Sequence, residues 1–308
     1  MSTIRISSET RVLAMSAENA PVARVPQGEP VIFETLDCFS NTLQDEATPF
    51  TSVSWDRINP ATGPVFVEGA EPGDILRVDI LNIELDDHGV VASAPGFGEM
   101  PDTVMERTRL VPLRDGKALF QWKRADGSVI EEELPIDPMI GVIGVAPAEG
   151  SVPTGTPDEH GGNMDCKRIT QGATLYLPVH VPGALFAMGD MHAIMGDGEV
   201  VVCGLEISGR VTVKFSVIKD RKWPLPMLVQ RGDFMTLASA KTLDEAARMA
   251  TQNMQRFLVN ELALEPTEAA HLLSIRGELR ICQVVDPLKT ARMELPVELL
   301  EKCGVTLP

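Results

Sequence analysis

The chain has 308 residues, 44% hydrophobic and 23% charged, enough apolar surface for one large domain or two modest ones and too much for a disordered protein. Lys and Arg number 27 against 44 Asp and Glu, a net charge of −17 that excludes nucleic acid and anionic membranes as partners and suits a neutral or cationic small ligand. Five cysteines without a C-x-x-C pair exclude a disulfide framework and a cysteine zinc site; with no N-terminal apolar segment and no apolar run of about 18 residues, the expectation is a cytoplasmic protein without a membrane span.

Short apolar runs cut by 23 prolines and 25 glycines predict a mainly β body, a β-sandwich or barrel, over residues 1–240. Strands are expected at 31–39, 75–85, and 117–123 and 128–134 across the turn Ala125-Asp126-Gly127. Further strands are expected at 174–181, 200–207, 211–218 and 234–238. In 211–218 the apolar Val211, Val213, Phe215 and Val217 alternate with Thr212, Lys214 and Ser216, the pattern of a strand with one buried face. The pattern changes near residue 241, where Thr242-Leu243-Asp244-Glu245 forms a capping box. It opens a helix over 243–258 with Leu243, Ala246, Ala247, Ala250, Met254, Phe257 and Leu258 on one face. A second helix begins near Pro266-Thr267-Glu268, a strand at 278–285 returns to the β body, and 296–302 forms a last turn before Gly304. Residues 241–308 are therefore expected as a smaller α/β region packed on the body. The sequence contains no internal repeat, Walker-type loop or dinucleotide fingerprint.

The chemistry concentrates in 183–200, GALFAMGDMHAIMGDGEV, where Asp190, His192, Asp197 and Glu199 stand between Gly183, Gly189, Gly196 and Gly198. In an extended segment residues two apart share a face, which pairs Asp190 with His192 and Asp197 with Glu199. Such groups are costly to bury unless they bind a metal, pair, or hydrogen-bond. A solvated Gly-Asp turn would use the same residues, but the apolar runs on both sides argue for a buried site. Upstream, His160-Gly161-Gly162-Asn163-Met164-Asp165 is a second polar cluster able to face the same pocket, or an ordinary turn. Glu206 ends an apolar run, either facing the interior or outward at a strand end, and Glu34 and Asp37 interrupt another as possible further walls. Cys166 reads as a buried structural thiol, and His88, His180 and His271 receive no role. Asp, His and Glu together favour a divalent cation, zinc foremost, with manganese or calcium as alternatives. A cation among such groups polarises a carbonyl while a glutamate shuttles a proton to a leaving nitrogen, which is hydrolase chemistry.

Gly162-Asn163-Met164-Asp165 followed by Gly189-Asp190-Met191-His192-Ala193-Ile194-Met195-Gly196-Asp197-Gly198-Glu199 resembles the acetamidase/formamidase family. That family's hallmark is a Gly-Asn-x-Asp element and then a G-D-x-H-x-x-x-G-D-G-E block. The likeness extends through Asn59-Pro60-Ala61-Thr62-Gly63-Pro64, Glu68-Gly69-Ala70-Glu71-Pro72-Gly73-Asp74 and the helix at 243–258, most of the chain. The resemblance implies a predominantly β amidohydrolase that splits short aliphatic amides, acetamide-like or formamide-like, into a carboxylate and ammonia. In that reading Asp190 and His192 hold the ion, with Asp165 or Glu206 as further ligands. Glu199 is the general base, Asp37 and Asn163 orient water and the substrate amide, Asp197 is a further catalytic candidate, and small residues around Ala184 and Ala193 limit acyl length. The expected partners are the small amide and further copies of the chain, a dimer foremost. Two other readings stand beside it, a non-catalytic β-sandwich that binds a small molecule or metal, and a hydrolase of a larger or cyclic amide.

Overall fold

The structure is a computed structural model that describes residues 4–308; it is mainly β, with 42% of residues in strands and 14% in helices, three α-helices and two single 3-10 turns. One sheet has nine strands, in the spatial order Ile4–Ile6, Pro30–Thr35, Gly209–Ile218, Ile75–Leu85, Thr174–Pro178, Met227–Gln230, Asp233–Ala240, Lys289–Pro296 and Glu278–Gln283. A second sheet of eleven strands is built around Phe186–His192, which lies between Glu206–Ile207 on one side and Met139–Gly144 on the other, with Ala61–Val67 also pairing to it.

The main core lies between these sheets, because each supplies one apolar face. In Gly209–Ile218 the residues Val211, Val213 and Phe215 are buried in alternation with more exposed ones, as the period of two requires. Phe33 and Phe215 of the nine-stranded sheet meet Phe186 of the other edge-on, with centroids 5.6 and 5.0 Å from it. Phe186–His192 is buried at every position, and the left-handed Asp190, at φ 55°, breaks its alternation so that side chains before and after it serve different environments. Phe186, Met188 and Met191 join the main core, while Asp190 and His192 belong to the polar site described below.

The C-terminal helices pack on the same sheet. Leu243–Leu262 opens with the predicted capping box, Thr242 Oγ1 accepting from the Glu245 amide at 3.2 Å, and it buries Ala250, Met254, Phe257 and Leu258 against Phe234 and Trp223. Pro266–Arg276 and Glu298–Lys302 follow. The sheet runs without a break across residue 240, because Asp233–Ala240 pairs along its whole length with Lys289–Pro296, and Glu278–Gln283 adds beyond it. All five cysteines are free, four of them buried, and no helix among the described residues is long and apolar enough to cross a membrane.

Four strands expected from the sequence are shorter than their apolar runs; those at 174–181 and 278–285 stop at Pro178 and Gln283, and the other two are cut by turns. The run at 31–39 ends as a strand at Thr35, because Asp37 and Asn41 exchange side-chain-to-backbone hydrogen bonds of 2.7 and 2.8 Å that close a turn, with Ser40 and Asn41 left-handed. Of 200–207 only Glu206–Ile207 is strand. Residues 196–202 are a turn with Glu199 at φ 50° and Val202 at φ 80°; Val202 lines a cavity and Val201 packs on a small apolar cluster, so their hydrophobicity is spent outside the sheet.

Phe186 joins the two sheets at their centre. Phe186→Ala is expected to lower unfolding free energy by about 3–5 kcal/mol, read as a lower denaturant midpoint at unchanged slope.

Candidate active site

The polar site is assembled at the strand Phe186–His192. Asp190 falls opposite Gly141, between the register pairs Ile140–Met191 and Val142–Gly189, and His192 stands opposite Glu206 on the neighbouring short strand. Asp165 follows the strand Gly161–Asn163, and Glu199 comes from the turn after Phe186–His192. Asp286 enters from the loop between Glu278–Gln283 and Lys289–Pro296.

These groups converge on one imidazole. His192 Nε2 lies 3.1 Å from Glu206 Oε2, 3.4 Å from Asp190 Oδ1, 3.9 Å from Asp165 Oδ1 and 4.0 Å from Glu199 Oε1. His192 and Asp165 are completely buried, Glu199 is 7% exposed, and Asp286 is half-buried. Few protein donors meet these carboxylates: the Gly204 amide donates to Glu206 Oε1 at 2.8 Å and Asn163 Nδ2 donates to Asp286 Oδ2 at 3.0 Å. Both Asp165 oxygens, Asp190 Oδ1, Glu206 Oε2, Asn163 Oδ1 and both His192 nitrogens have no hydrogen-bond partner.

Burial dominates the acid–base behaviour of the cluster. It pushes Asp165, Glu199 and Asp286 well above the usual carboxylate range, reinforced by neighbouring carboxylates, and it raises Glu206 to about 7 against the opposing pull of His192. For His192 burial acts downward, yet Glu206 and Asp190 outweigh it and hold the imidazole well above its ordinary value. The surplus of negative charge over protein donors is what a cation resolves. Asp165, Asp190 and His192 each offer a ligand atom within 4.8 Å of the others, and so do His192, Glu199 and Glu206. Imidazole nitrogen with carboxylate oxygen, buried and unpartnered, is a donor set that fits a divalent cation.

The remaining candidates lie at graded distances from this centre. Asn163 lines the cavity above the cluster. Asp37 is buried behind Glu206, bonded to Asn41, with burial raising it to about 6. Asp197 does not join Glu199: it points the other way, into a two-pronged ion pair with Arg292, both contacts 2.9 Å, and toward Lys167 at 3.4 Å. The left-handed turn at Glu199 breaks the strand alternation that would have put the two carboxylates on one face. Glu34 pairs with Arg5 at the surface and forms no wall, and Ala184 and Ala193 belong to the main core rather than to the cavity lining. Asp286 is not singled out by the sequence, where its one signal is Val284-Val285-Asp286-Pro287, a carboxylate delivered where a strand predicted to return to the body gives out.

Known proteins match most of the chain. The model of the Acetamidase/Formamidase family matches residues 17–152 and 148–302. The crystal structure of an acetamidase from Bacillus halodurans superposes with a TM-score of 0.93 at 48% identity, covering 98% of this chain and 100% of that one. A formamidase of Methylophilus methylotrophus is 30% identical over 252 residues, 65% of this chain and 62% of that protein, and an acetamidase of Mycolicibacterium smegmatis is 28% identical over 232 residues, 57% of each. The chain thus spans about three fifths of the length of those two curated relatives. With the family model spanning nearly all of the described residues, and with it every acidic group around His192, the chain belongs to the acetamidase/formamidase family.

Proposed function

We propose that the protein is a metal-dependent amidohydrolase that converts a primary amide and water into a carboxylate and ammonia. The observation that carries this reading is the set of partnerless, buried oxygens and nitrogens around His192 on the floor of a cavity. Its relatives, a formamidase and an acetamidase, support the substrate class of short amides.

Asp190 and His192 would hold the ion, with Asp165 and Glu206 completing the donor set. Zinc is the first choice for one imidazole among carboxylates, and manganese the second. When bound, the cation supplies Lewis acidity toward the amide carbonyl and offsets the carboxylate charge. Glu199 suits the general base: it lines the cavity and lies at the edge of the cluster, 4.0 Å from His192 Nε2, where it can take the proton of the attacking water. As the C–N bond breaks, Glu199 returns that proton to the departing nitrogen. Asn163 holds Asp286 through Nδ2 and leaves Oδ1 free toward the amide N–H of the substrate. Asp37 serves as a positioning residue, bracing the turn behind Glu206. The free cysteines suit a reducing compartment, so a cytoplasmic location belongs to the same reading, as does self-association, a dimer foremost.

The cluster exists only because Gly141 has no side chain. A Cβ there would fall on Asp165 Oδ1 and Asp190 Oδ2 at once. Gly204 does the same for the imidazole, since a Cβ would sit 2.7 Å from His192 Nδ1.

Ammonia release from formamide and acetamide is expected from the purified protein, to vanish on chelation and to return with one added divalent cation, zinc being tried first; a folded, metal-loaded protein that releases none overturns the reading. Glu199→Gln should lower kcat by about 10²–10⁴-fold while bound metal per chain, measured by atomic emission, stays at the wild-type level. Gly141→Ala should weaken metal affinity by at least about 10–100-fold, read by competition with a chromogenic chelator.

A further inference from the structure

The cavity over the carboxylate floor is larger than a short amide requires. Its volume is about 650 Å³, inside the ~300–1,000 Å³ of pockets that enclose drug-sized ligands, whereas acetamide carries a single methyl group beyond its carboxamide. The extra room has a distinct chemistry. Beyond the acidic floor the lining includes Phe39, Phe50, Trp55 and Phe97.

Those four rings form one panel. Phe50 is the hub, its centroid 5.7 Å from Phe39, 5.6 Å from Trp55 and 5.5 Å from Phe97, all edge-on, while Trp55 and Phe97 stack at 5.1 Å and 11°. Phe50 is 2% exposed, but Trp55 leaves 45% of its surface open. The panel is therefore fixed from behind and bare in front, an unusual place for a tryptophan unless something apolar covers it. Among the described residues no lysine or arginine lines the cavity, so an anionic substituent would meet carboxylates and find no partner.

We propose that this panel is an acyl-group subsite and that the substrate is a neutral primary amide whose acyl portion ends in an aromatic ring; the assignment rests on the amidase reading above. The carboxamide occupies the acidic floor beside Asn163 and Glu199, and the ring covers the open face of Trp55 and Phe97. Acyl length is set by the distance from floor to panel, not by Ala184 and Ala193, which lie in the core. Burying a phenyl group against the Trp55–Phe97 stack stabilises the complex in the ground state and the transition state alike, so the gain falls on KM.

The test compares phenylacetamide with acetamide on the metal-loaded protein, and measures phenylacetamide binding to the chelated protein by calorimetry. The expected kcat/KM for phenylacetamide exceeds that for acetamide by at least about tenfold, mainly through KM. Trp55→Ala should lower the ratio of the two kcat/KM values about tenfold, and Phe97→Leu, a milder change, should lower it in the same direction. Equal kcat/KM for the two amides overturns the subsite and leaves the amidase reading standing. No turnover of either amide, with phenylacetamide still bound and bound more weakly by the Trp55→Ala protein, overturns the amidase reading and keeps the panel as a ring-binding site. Neither turnover nor binding overturns both.

Discussion

The interior of this protein is governed by the negative charge gathered about a single imidazole. Asp165, Asp190, Glu199 and Glu206 are all nearly or completely buried, and an ionised carboxylate so placed costs several kcal/mol unless something meets its charge. The chain supplies little: one imidazole, the Gly204 amide to Glu206 and the Asn163 amide to Asp286. Proton uptake on the carboxylates is one response to that shortfall, and it is what burial drives. A divalent cation is the other, and it alone also satisfies the orphaned lone pairs on Asp165, Asp190 and His192 together.

The backbone is bent to concentrate those groups. Asp165, Asp190 and Glu199 all sit in the left-handed region, at φ 41°, 55° and 50°, and Val202 nearby is at φ 80°. For residues other than glycine this conformation costs roughly 1–2 kcal/mol each, more for a β-branched valine. Strain of this kind persists only where surrounding structure over-determines it. Here the over-determination is visible in the sheet: Phe186–His192 is hydrogen-bonded on both sides and buried throughout, so the kink at Asp190 is held by registered pairs before and after it. Small residues supply the room that geometry alone could not, and Gly141 is the clearest case because it stands directly beneath two carboxylates.

Much of this was legible in the sequence, for identifiable reasons. Alternation in 211–218 and the capping box at Thr242 depend on neighbours a few residues away, and both elements appear as read. Asp190 and His192 were legible because period two puts them on one face and the flanking apolar residues imply burial. What failed depended on distant partners. Val200, Val201 and Val202 look like a strand, and only the fold reveals that two of them serve a cavity and a small apolar cluster beside the turn. Asp286 lies more than eighty residues beyond Glu199 in sequence, so nothing local marks it as part of the site. Asp197 misled in the opposite direction, since its spacing from Glu199 predicts a shared face that the left-handed turn removes.

Asp197 nevertheless explains why the C-terminal strands matter to chemistry they never touch. Arg292, itself 2% exposed on Lys289–Pro296, grips both Asp197 oxygens and also donates to the Ile281 carbonyl. A guanidinium forked onto a carboxylate fixes direction as well as distance. Backbone bonds reinforce the grip: the Gly198 amide donates to the Cys282 carbonyl at 2.8 Å and the Val284 amide to the Gly198 carbonyl at 3.1 Å. The turn that aims Glu199 inward is thus clamped from outside by the edge of the nine-stranded sheet, one residue on each side of Gly198 facing opposite ways. The same loop that follows the clamp delivers Asp286 to Asn163. A carboxylate at the margin of a crowded anionic cluster is repelled by its neighbours; anchoring Asp197, two residues away, to an arginine holds Glu199 near His192 without a cation of its own.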